Sequence, residues 1–220
     1  MGLLVLEGLD GSGKGTQSEL LLRELEARPG GARKVTFPDY SSPSSALVKM
    51  YLSGEFGSDP QAVNAYAASA FYAVDRFASY EKDWKTDYLN GVTILADRYA
   101  TSNYIYQMGK LPREKWEDYL SWVEDLEYGK LGLPKPDQVI FLDMPIEVSQ
   151  KLLSQRYHGD EQKKDIHENH LDFLRTCAEC AAFAGKRLGW AVIPCAEEGV
   201  PLPIQKIHQK VLQAIEEKRR

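Results

Sequence analysis

Short apolar runs alternate along the chain with longer stretches in which apolar and charged residues recur at helical spacing. The runs predict five strands, at residues 3–7, 34–37, 92–96, 138–143 and 191–194. The stretches predict helices at residues 16–27, 44–52, 60–88, 112–130, 146–157, 168–188 and 203–217. Runs that are apolar at every position, such as 139–142, are typical of parallel strands covered by helices on both faces. We therefore predict a three-layer α/β fold with a five-stranded parallel sheet flanked by helices.

Length and composition favour one globular domain spanning residues 1–220, with 43% hydrophobic and 27% charged residues. The net charge of -5 argues against a general nucleic-acid binder, which needs a basic surface. The apolar runs are too short to span a membrane and no basic leader precedes the first strand, so we expect a cytoplasmic location. Cys177 and Cys180 lack a second cysteine or histidine pair, so we expect no zinc or redox site.

A glycine-rich loop joins the first predicted strand to the first predicted helix. Its residues match a phosphate-binding loop up to Lys14, but Gly15 stands where Ser or Thr is usual. Glycines let consecutive backbone N–H groups surround phosphate oxygens, and Lys14 adds a positive charge near the helix N-terminus. The loop predicts a P-loop NTPase fold that binds a nucleoside triphosphate, whereas a glycine-rich turn without a ligand is the alternative. The predicted ATP-binding residues are Gly8, Leu9, Asp10, Gly11, Ser12, Gly13, Lys14, Gly15 and Thr16.

Charged residues follow the third predicted strand directly, at Asp97 and Arg98. Ligands of parallel sheets gather at the carboxyl ends of the strands, so this pair should lie beside the phosphate loop. Asp97 could hold or orient a hydrated Mg²⁺, and Arg98 could bridge phosphates with its two-pronged guanidinium group. An ion pair that only closes the end of the strand is the alternative interpretation.

An aromatic ring and an arginine lie four residues apart on a predicted helix, at Tyr72 and Arg76. This spacing places both on one helix face, where the ring can stack on a base while the guanidinium bonds to the edge of that base. Aromatic residues at helical spacing are also common in cores, so a packing role is the alternative.

The order and spacing of these motifs over nearly the whole chain resemble those of the thymidylate kinases, which phosphorylate dTMP to dTDP with ATP. The resemblance rests on residues 6–14, Phe37-Pro38, the aromatic-to-arginine spacing that ends at Arg76, Asp97-Arg98-Tyr99 with Ser102, Asn103 and Tyr106 downstream, and residues 133–137.

The resemblance implies roles for the phosphate-handling residues. Asp10 would contact the 3′-hydroxyl of the deoxyribose or its neighbouring phosphate. Lys14 would bind the ATP phosphates, and Arg98 would hold the monophosphate and the transferred group. The acceptor region would extend over about residues 37–106.

The resemblance also implies how the nucleoside is recognised. Tyr72 would stack on thymine, with Phe71 as the second choice, and Arg76 would bond to a base carbonyl. Asn103 would lie near the base edge, and Tyr106 would lie under the sugar and disfavour a 2′-hydroxyl. The acceptor residues implied in this way are Asp10, Phe37, Pro38, Tyr40, Tyr72, Arg76, Arg98, Ser102, Asn103 and Tyr106.

A charged segment at about residues 154–168 corresponds to the short lid that closes over ATP in this family. The phosphate loop has Gly11 and Ser12 where some relatives carry an arginine. Arg156 is therefore our choice for the arginine that stabilises the transferring phosphoryl group, with Lys163 and Lys164 as helpers or as solvated surface charges.

The chain departs from the family pattern at two positions. With Gly15 in the loop, either Thr16 supplies a hydroxyl to Mg²⁺, or the ion keeps an additional water and depends on Asp97 through that water. Tyr40 lies in the segment where many relatives place an arginine after Phe-Pro, which leaves Arg98 as the main contact to the acceptor phosphate, with Tyr40 adding a hydroxyl.

Three alternatives to a thymidylate kinase remain at this stage. The letters Gly-Lys-Gly-Thr-Gln also suit another nucleoside monophosphate kinase, and a deoxynucleoside kinase would act on a free sugar hydroxyl. A nucleotide-sensing P-loop ATPase with a protein partner belongs to a different class. Small and aromatic residues in 60–88 permit close helix packing, and because the family is commonly dimeric we expect a homodimer.

Overall fold

The computed structural model describes residues 2–156 and 170–219, apart from the side chains of Arg156 and Arg219. Its main strands are β1 (Leu3–Gly8), β2 (Ala32–Thr36), β3 (Thr93–Asp97), β4 (Gln138–Asp143) and β5 (Ala191–Pro194). They form a parallel sheet in the order β2-β3-β1-β4-β5. A small antiparallel hairpin, β6 (Ala196–Glu197) with β7 (Val200–Pro201), follows the sheet. The predicted five-stranded parallel sheet is confirmed.

The α-helices are α1 (Lys14–Glu26), α2 (Ala46–Leu52), α3 (Ala65–Ser79), α4 (Lys85–Leu89), α5 (Trp116–Glu124), α6 (Ile146–Arg156), α7 (Leu171–Leu188) and α8 (Ile204–Arg219). Short 3₁₀ turns occupy Pro43–Ser45, Pro60–Ala62, Met108–Lys110 and Arg113–Lys115. Segments of π-helix occupy Tyr80–Trp84, Asn103–Gln107 and Asp125–Lys130. Within residues 2–156 and 170–219, no helix is both long and apolar enough to cross a membrane.

Alternation along β1 explains the three layers. Leu3 and Val5 belong to one hydrophobic cluster, which also contains buried side chains of α5 and α7. Leu4 and Leu6 point to the other face and pack with buried side chains of α1 and α8. All four are fully buried, and removing a leucine side chain from water contributes about 2 kcal/mol. The central strand is therefore apolar at consecutive positions because each face has its own helical cover.

Strand positions agree closely with the sequence pattern, but the predicted helix at 60–88 is wrong as one continuous element. Val63 is extended, and α3 begins only after Asn64, whose side-chain Oδ1 accepts a hydrogen bond from the Ala67 N–H at 2.9 Å. An asparagine that caps the next turn is a start signal for a new helix. The sequence pattern did not reveal this break, because apolar residues continue at helical spacing on both sides of Val63 and Asn64.

The helical segment after β3 was missed by the sequence pattern. Asn103–Gln107 and Met108–Lys110 form consecutive π and 3₁₀ turns, of which the first is buried throughout and the second is buried at Met108. Neither turn has the spacing of an α-helix, so a search at a period of 3.6 residues does not detect them. Most of the predicted lid, 154–168, lies outside the described residues, as do Lys163 and Lys164.

Candidate active site

The phosphate loop between β1 and α1 depends on glycine at two positions. Gly11 has φ 78°, and a Cβ there would lie 2.5 Å from the carbonyl oxygen of Ser149 in α6. Gly13 has φ 88° and is the N-cap of α1. Side chains rarely adopt such positive φ values, and at Gly11 there is no room for one. The close approach of α6 therefore excludes an arginine at Gly11 in this arrangement.

Lys14 lies buried within the curl of the loop. Its Nζ donates hydrogen bonds to the carbonyl oxygens of Gly8 at 2.8 Å and Leu9 at 3.0 Å. Burial, followed by repulsion from Arg98, lowers the pKa of Lys14 to about 8. Because carbonyl oxygens only partly compensate a buried charge, an anionic phosphate would be a better partner for this amine.

Arg98, the first residue after β3, connects the phosphate loop to the neighbouring cavity. Its guanidinium forms an ion pair with Asp10, and its Nη1 lies 3.3 Å from the hydroxyl of Tyr106. Tyr106 in turn donates to Asp10 Oδ2 at 3.0 Å. Burial opposes the charge of Arg98, but Asp10 and other anionic neighbours outweigh it and hold the pKa well above its ordinary value. The three side chains form a charged cluster between the phosphate loop and the cavity.

This cavity lies at the carboxyl edge of β1, β2 and β3. The structure brings all ten residues of the predicted acceptor site to its lining, together with Leu52, Tyr99 and Gln107. The ten come from the phosphate loop, the segment after β2, α3 and the turns after β3. Gln107 was not singled out from the sequence, and it belongs to the π-helical segment that the periodicity missed.

Arg76 and Asn103 share one buried acceptor, Glu127. The guanidinium of Arg76 binds both carboxylate oxygens of Glu127, with Nε to Oε2 at 2.9 Å. Asn103 Nδ2 donates to Glu127 Oε1 at 3.0 Å. Glu127 and Arg76 are almost entirely buried, so this bidentate pair fixes the direction of the arginine. No sequence motif pointed to Glu127, because a glutamate on a helix usually lies at the surface.

The aromatic residues near the cavity have different environments. Tyr72 lines the cavity and meets Tyr51 edge-on at 6.4 Å between ring centroids. Phe71 instead packs against Phe56 at 5.8 Å. Tyr40 is 55% exposed at the cavity rim. Of the two rings weighed for stacking, Tyr72 is the one that the structure places along the cavity.

Asp75 holds the segment that carries Pro38 and Tyr40. The carboxylate is buried and accepts the N–H of Asp39 at 2.9 Å and the hydroxyl of Ser44 at 2.6 Å. In the sequence, only the place of Asp75 next to Arg76 indicated that this carboxylate could matter near the cavity. Asp75 therefore shapes one wall of the cavity by fixing the backbone after β2.

Glu7 is a buried carboxylate beneath the turn that follows β3. It accepts hydrogen bonds from the N–H of Tyr99 at 3.2 Å, the hydroxyl of Thr101 at 2.6 Å, and the hydroxyl of Ser102 at 2.9 Å to each oxygen. Burial raises the pKa of Glu7, although Arg98 acts in the opposite direction. The single hydroxyl proton of Ser102 is thus directed to Glu7, which leaves Ser102 to act only as an acceptor towards a ligand.

Oxygen donors suited to a magnesium ion lie beside the phosphate loop. Asp97 is half-buried at the end of β3 and close enough to Lys14 to influence its pKa. Thr16 is exposed on the first turn of α1, and a Cβ on Gly15 would meet no atom within 4 Å. Across residues 2–156 and 170–219, no group of three His, Cys, Asp or Glu side chains could hold a metal without other ligands. Arg156 ends α6, but its side chain is not among those described.

Comparisons with known proteins agree on one family. The family model described as Thymidylate kinase matches residues 6–211. The thymidylate kinase of Mycobacterium tuberculosis H37Rv is 31% identical over 205 residues, covering 87% of this chain and 90% of the relative. The human thymidylate kinase is 32% identical over 145 residues, covering 66% of this chain and 61% of the human protein. A solved structure of thymidylate kinase from Candida albicans has a TM-score of 0.72 at 22% identity, covering 99% of this chain and 92% of the other.

Proposed function

Because this chain belongs to the thymidylate kinase family, whose reaction is ATP-dependent phosphorylation of dTMP, we propose that it transfers the γ-phosphoryl group of ATP to dTMP. The products are ADP and dTDP. The observation that carries the proposal is the cluster of Asp10, Arg98 and Tyr106. It joins a phosphate-binding loop to a cavity lined by an aromatic ring, a guanidinium and an amide.

The donor and acceptor phosphates meet at this cluster. Backbone N–H groups of the loop and the Lys14 amine bind the ATP phosphates, and Lys14 exchanges its carbonyl partners for phosphate oxygens. Arg98 contacts the acceptor phosphate and the group in transfer. Phosphoryl transfer needs positioning and neutralisation of charge more than covalent chemistry, so no nucleophilic side chain is required.

The nucleoside occupies the cavity with its base between Tyr72 and the buried polar groups. Tyr72 stacks on thymine, Arg76 bonds to a base carbonyl, and Asn103 lies at the base edge. Tyr106 lies under the sugar, where its ring and its hydrogen bond to Asp10 leave little room for a 2′-hydroxyl. Phe37, Pro38, Tyr40 and Ser102 complete the acceptor site around the sugar and phosphate.

Mg²⁺ bound with ATP would supply positive charge that neutralises the phosphates. The donors present suit this ion, because Asp97 and Thr16 offer oxygen atoms and the open space at Gly15 admits water. Either Thr16 would supply the hydroxyl that is missing at Gly15, or the ion would keep an additional water and depend on Asp97 through that water.

Arg156 is the arginine that we assign to the transferring phosphoryl group. The crowding of Gly11 against Ser149 leaves no room for such a residue at that position of the loop. Arg156 ends α6, the helix that makes this contact with the loop. A lid formed by about residues 154–168 would bring it over ATP and exclude water from the transfer.

The proposed homodimer uses the outer face of α3. Val74 and Phe77 are 46% and 38% exposed and form an apolar surface on a helix whose opposite face lines the cavity. Light scattering should give about twice the chain mass of 24.8 kDa, and a monomer at all concentrations would contradict the proposal.

We also propose a cytoplasmic location, because the cysteines at 177, 180 and 195 are free and buried.

A panel of nucleotides tests the function. With ATP and Mg²⁺, the purified protein should phosphorylate dTMP in preference to AMP and to free thymidine. A clear preference for AMP would indicate another nucleoside monophosphate kinase, and a preference for thymidine would indicate a deoxynucleoside kinase. ATP hydrolysis that no nucleoside monophosphate alters would instead support a nucleotide-sensing ATPase.

A further inference from the structure

We infer that Lys110 is a positioning residue for the acceptor nucleotide, acting through Tyr51 on the ring of Tyr72. The inference rests on the proposed function, because it assigns Tyr72 to the base. Lys110 ends the 3₁₀ turn after the π-helical segment and bonds to Tyr51, whose ring meets that of Tyr72. None of the motifs in the sequence points to this lysine.

The amine of Lys110 joins three parts of the chain. Its Nζ donates to the hydroxyl of Tyr51 in α2 at 2.8 Å and to the carbonyl oxygen of Val63 at 2.8 Å. Val63 lies in the break before α3, where its carbonyl is outside any helix. Lys110 therefore ties α2 and the start of α3 to the segment that carries Tyr106 and Gln107.

The same three parts form walls of the acceptor cavity. Leu52 follows Tyr51 in α2, Tyr72 projects from α3, and Gln107 lies three residues before Lys110. The fully buried ring of Tyr51 stands edge-on to Tyr72, with an interplanar angle of 89°. A hydrogen bond that holds Tyr51 thus limits how far Tyr72 can move away from a stacked base.

The surroundings of Lys110 favour a side chain that links parts of the structure by hydrogen bonds over one that carries a solvated charge. Burial lowers the pKa of Lys110 to about 7, although Cys177 and Asp59 act in the opposite direction. The amine keeps two N–H groups when it is neutral, so it can make both hydrogen bonds on either side of that pKa. The link does not depend on the charge of the lysine, and an uncharged side chain without N–H groups should break it.

Steady-state kinetics of Lys110→Met test the inference. We expect the KM for dTMP to rise about tenfold, because Tyr51 and Val63 lose a buried hydrogen-bond donor and Tyr51 then supports the ring of Tyr72 less firmly. The KM for ATP should stay unchanged, since the phosphate loop is not touched. Lys115→Met is the matched control, because Lys115 is exposed and makes only a surface ion pair at 3.8 Å.

Tyr51→Phe provides a second test that keeps the ring and removes only the hydroxyl. It should also raise the KM for dTMP, and the double variant should show less than the product of the two single effects. Lys110→Arg, which restores N–H groups, should recover part of the loss. Tyr51→Phe remains informative if Lys110→Met does not fold.

The outcomes separate the inference from the proposed function. If the wild-type protein does not phosphorylate dTMP, the proposed function fails. If wild type does so and folded Tyr51→Phe has an unchanged KM for dTMP, the inference is overturned. Equal changes in kcat and in both KM values would also overturn it, because they would indicate a general structural role.

Discussion

Arg98 lies on the turn after β3, and Glu7 stabilises this turn by hydrogen bonds. The backbone of Arg98 has φ 67°, a left-handed conformation that costs a residue with a side chain about 1 kcal/mol or more. Glu7 stabilises the turn by accepting hydrogen bonds from Tyr99, Thr101 and Ser102. These hydrogen bonds thus offset the strained backbone that directs the guanidinium of Arg98 towards Asp10.

Glu7→Gln should change how stability depends on pH. The folded state raises the pKa of Glu7 above the ordinary 4.5, so this residue contributes stability below that pH, and the contribution is lost as pH rises through the folded pKa. Glutamine has no proton to lose. Thermal unfolding between about pH 4.5 and 8 should show the variant gaining stability relative to wild type as pH rises. A constant difference across this range would contradict the explanation.

Gly15→Ser should be tolerated and should ease the requirement for magnesium. The position is helical and a Cβ there meets no neighbour, so serine should stabilise α1 by about 0.5 kcal/mol relative to glycine. Its hydroxyl adds an oxygen donor beside Thr16. Gly15→Ala is the matched control, because it also replaces the glycine with a residue that has a Cβ but adds no oxygen.

The magnesium dependence of dTDP formation distinguishes these variants. The serine variant should reach half-maximal rate at a lower magnesium concentration than wild type, and the alanine variant should not. Identical magnesium curves for serine and alanine would show that the missing hydroxyl at this position is irrelevant to the metal.

At the scale of elements, the irregular turns position residues of the proposed acceptor site. The π-helical segment Asn103–Gln107 brings Asn103, Tyr106 and Gln107 to one cavity. A second π-helical segment, Asp125–Lys130, carries Glu127 to the buried guanidinium of Arg76 in α3. Such segments are short and lack a regular apolar period, so the periodicity did not predict the segment after β3. Asn103 and Tyr106 were named from the family resemblance, whereas Gln107 and Glu127 were not singled out.

Glu127→Gln should destabilise the protein strongly. Removing the carboxylate charge leaves Arg76 buried without its ion-pair partner, which costs about 3 kcal/mol. Denaturant unfolding measures this loss. Glu124→Gln is the control in the preceding turn of the chain, because the Glu124–Lys135 pair lies at the surface and should contribute less than about 1 kcal/mol. Equal stability of the two variants would mean that the buried pair does not hold α3 in place.

At the scale of the molecule, the sequence predicted the parts that follow from simple periods and from the parallel sheet. Apolar runs located the strands, and the rule that ligands lie at the carboxyl edge placed Asp97 and Arg98 near the phosphate loop. The break at Val63 and Asn64 was missed because apolar positions continue across it. The buried carboxylates Glu7 and Glu127 were missed because their partners are distant in sequence, and nothing in one chain read alone indicates such pairs.

The most direct test of the account is transfer of labelled γ-phosphoryl from ATP to dTMP, measured side by side for wild type and Arg98→Ala. Circular dichroism would first establish that the variant is folded. Wild type should form labelled dTDP, and Arg98→Ala should lose at least about a hundredfold in rate, because a charged group at the reacting phosphate is removed. Labelled dTDP formed at the wild-type rate by folded Arg98→Ala would contradict the role of the cluster that joins the loop to the cavity.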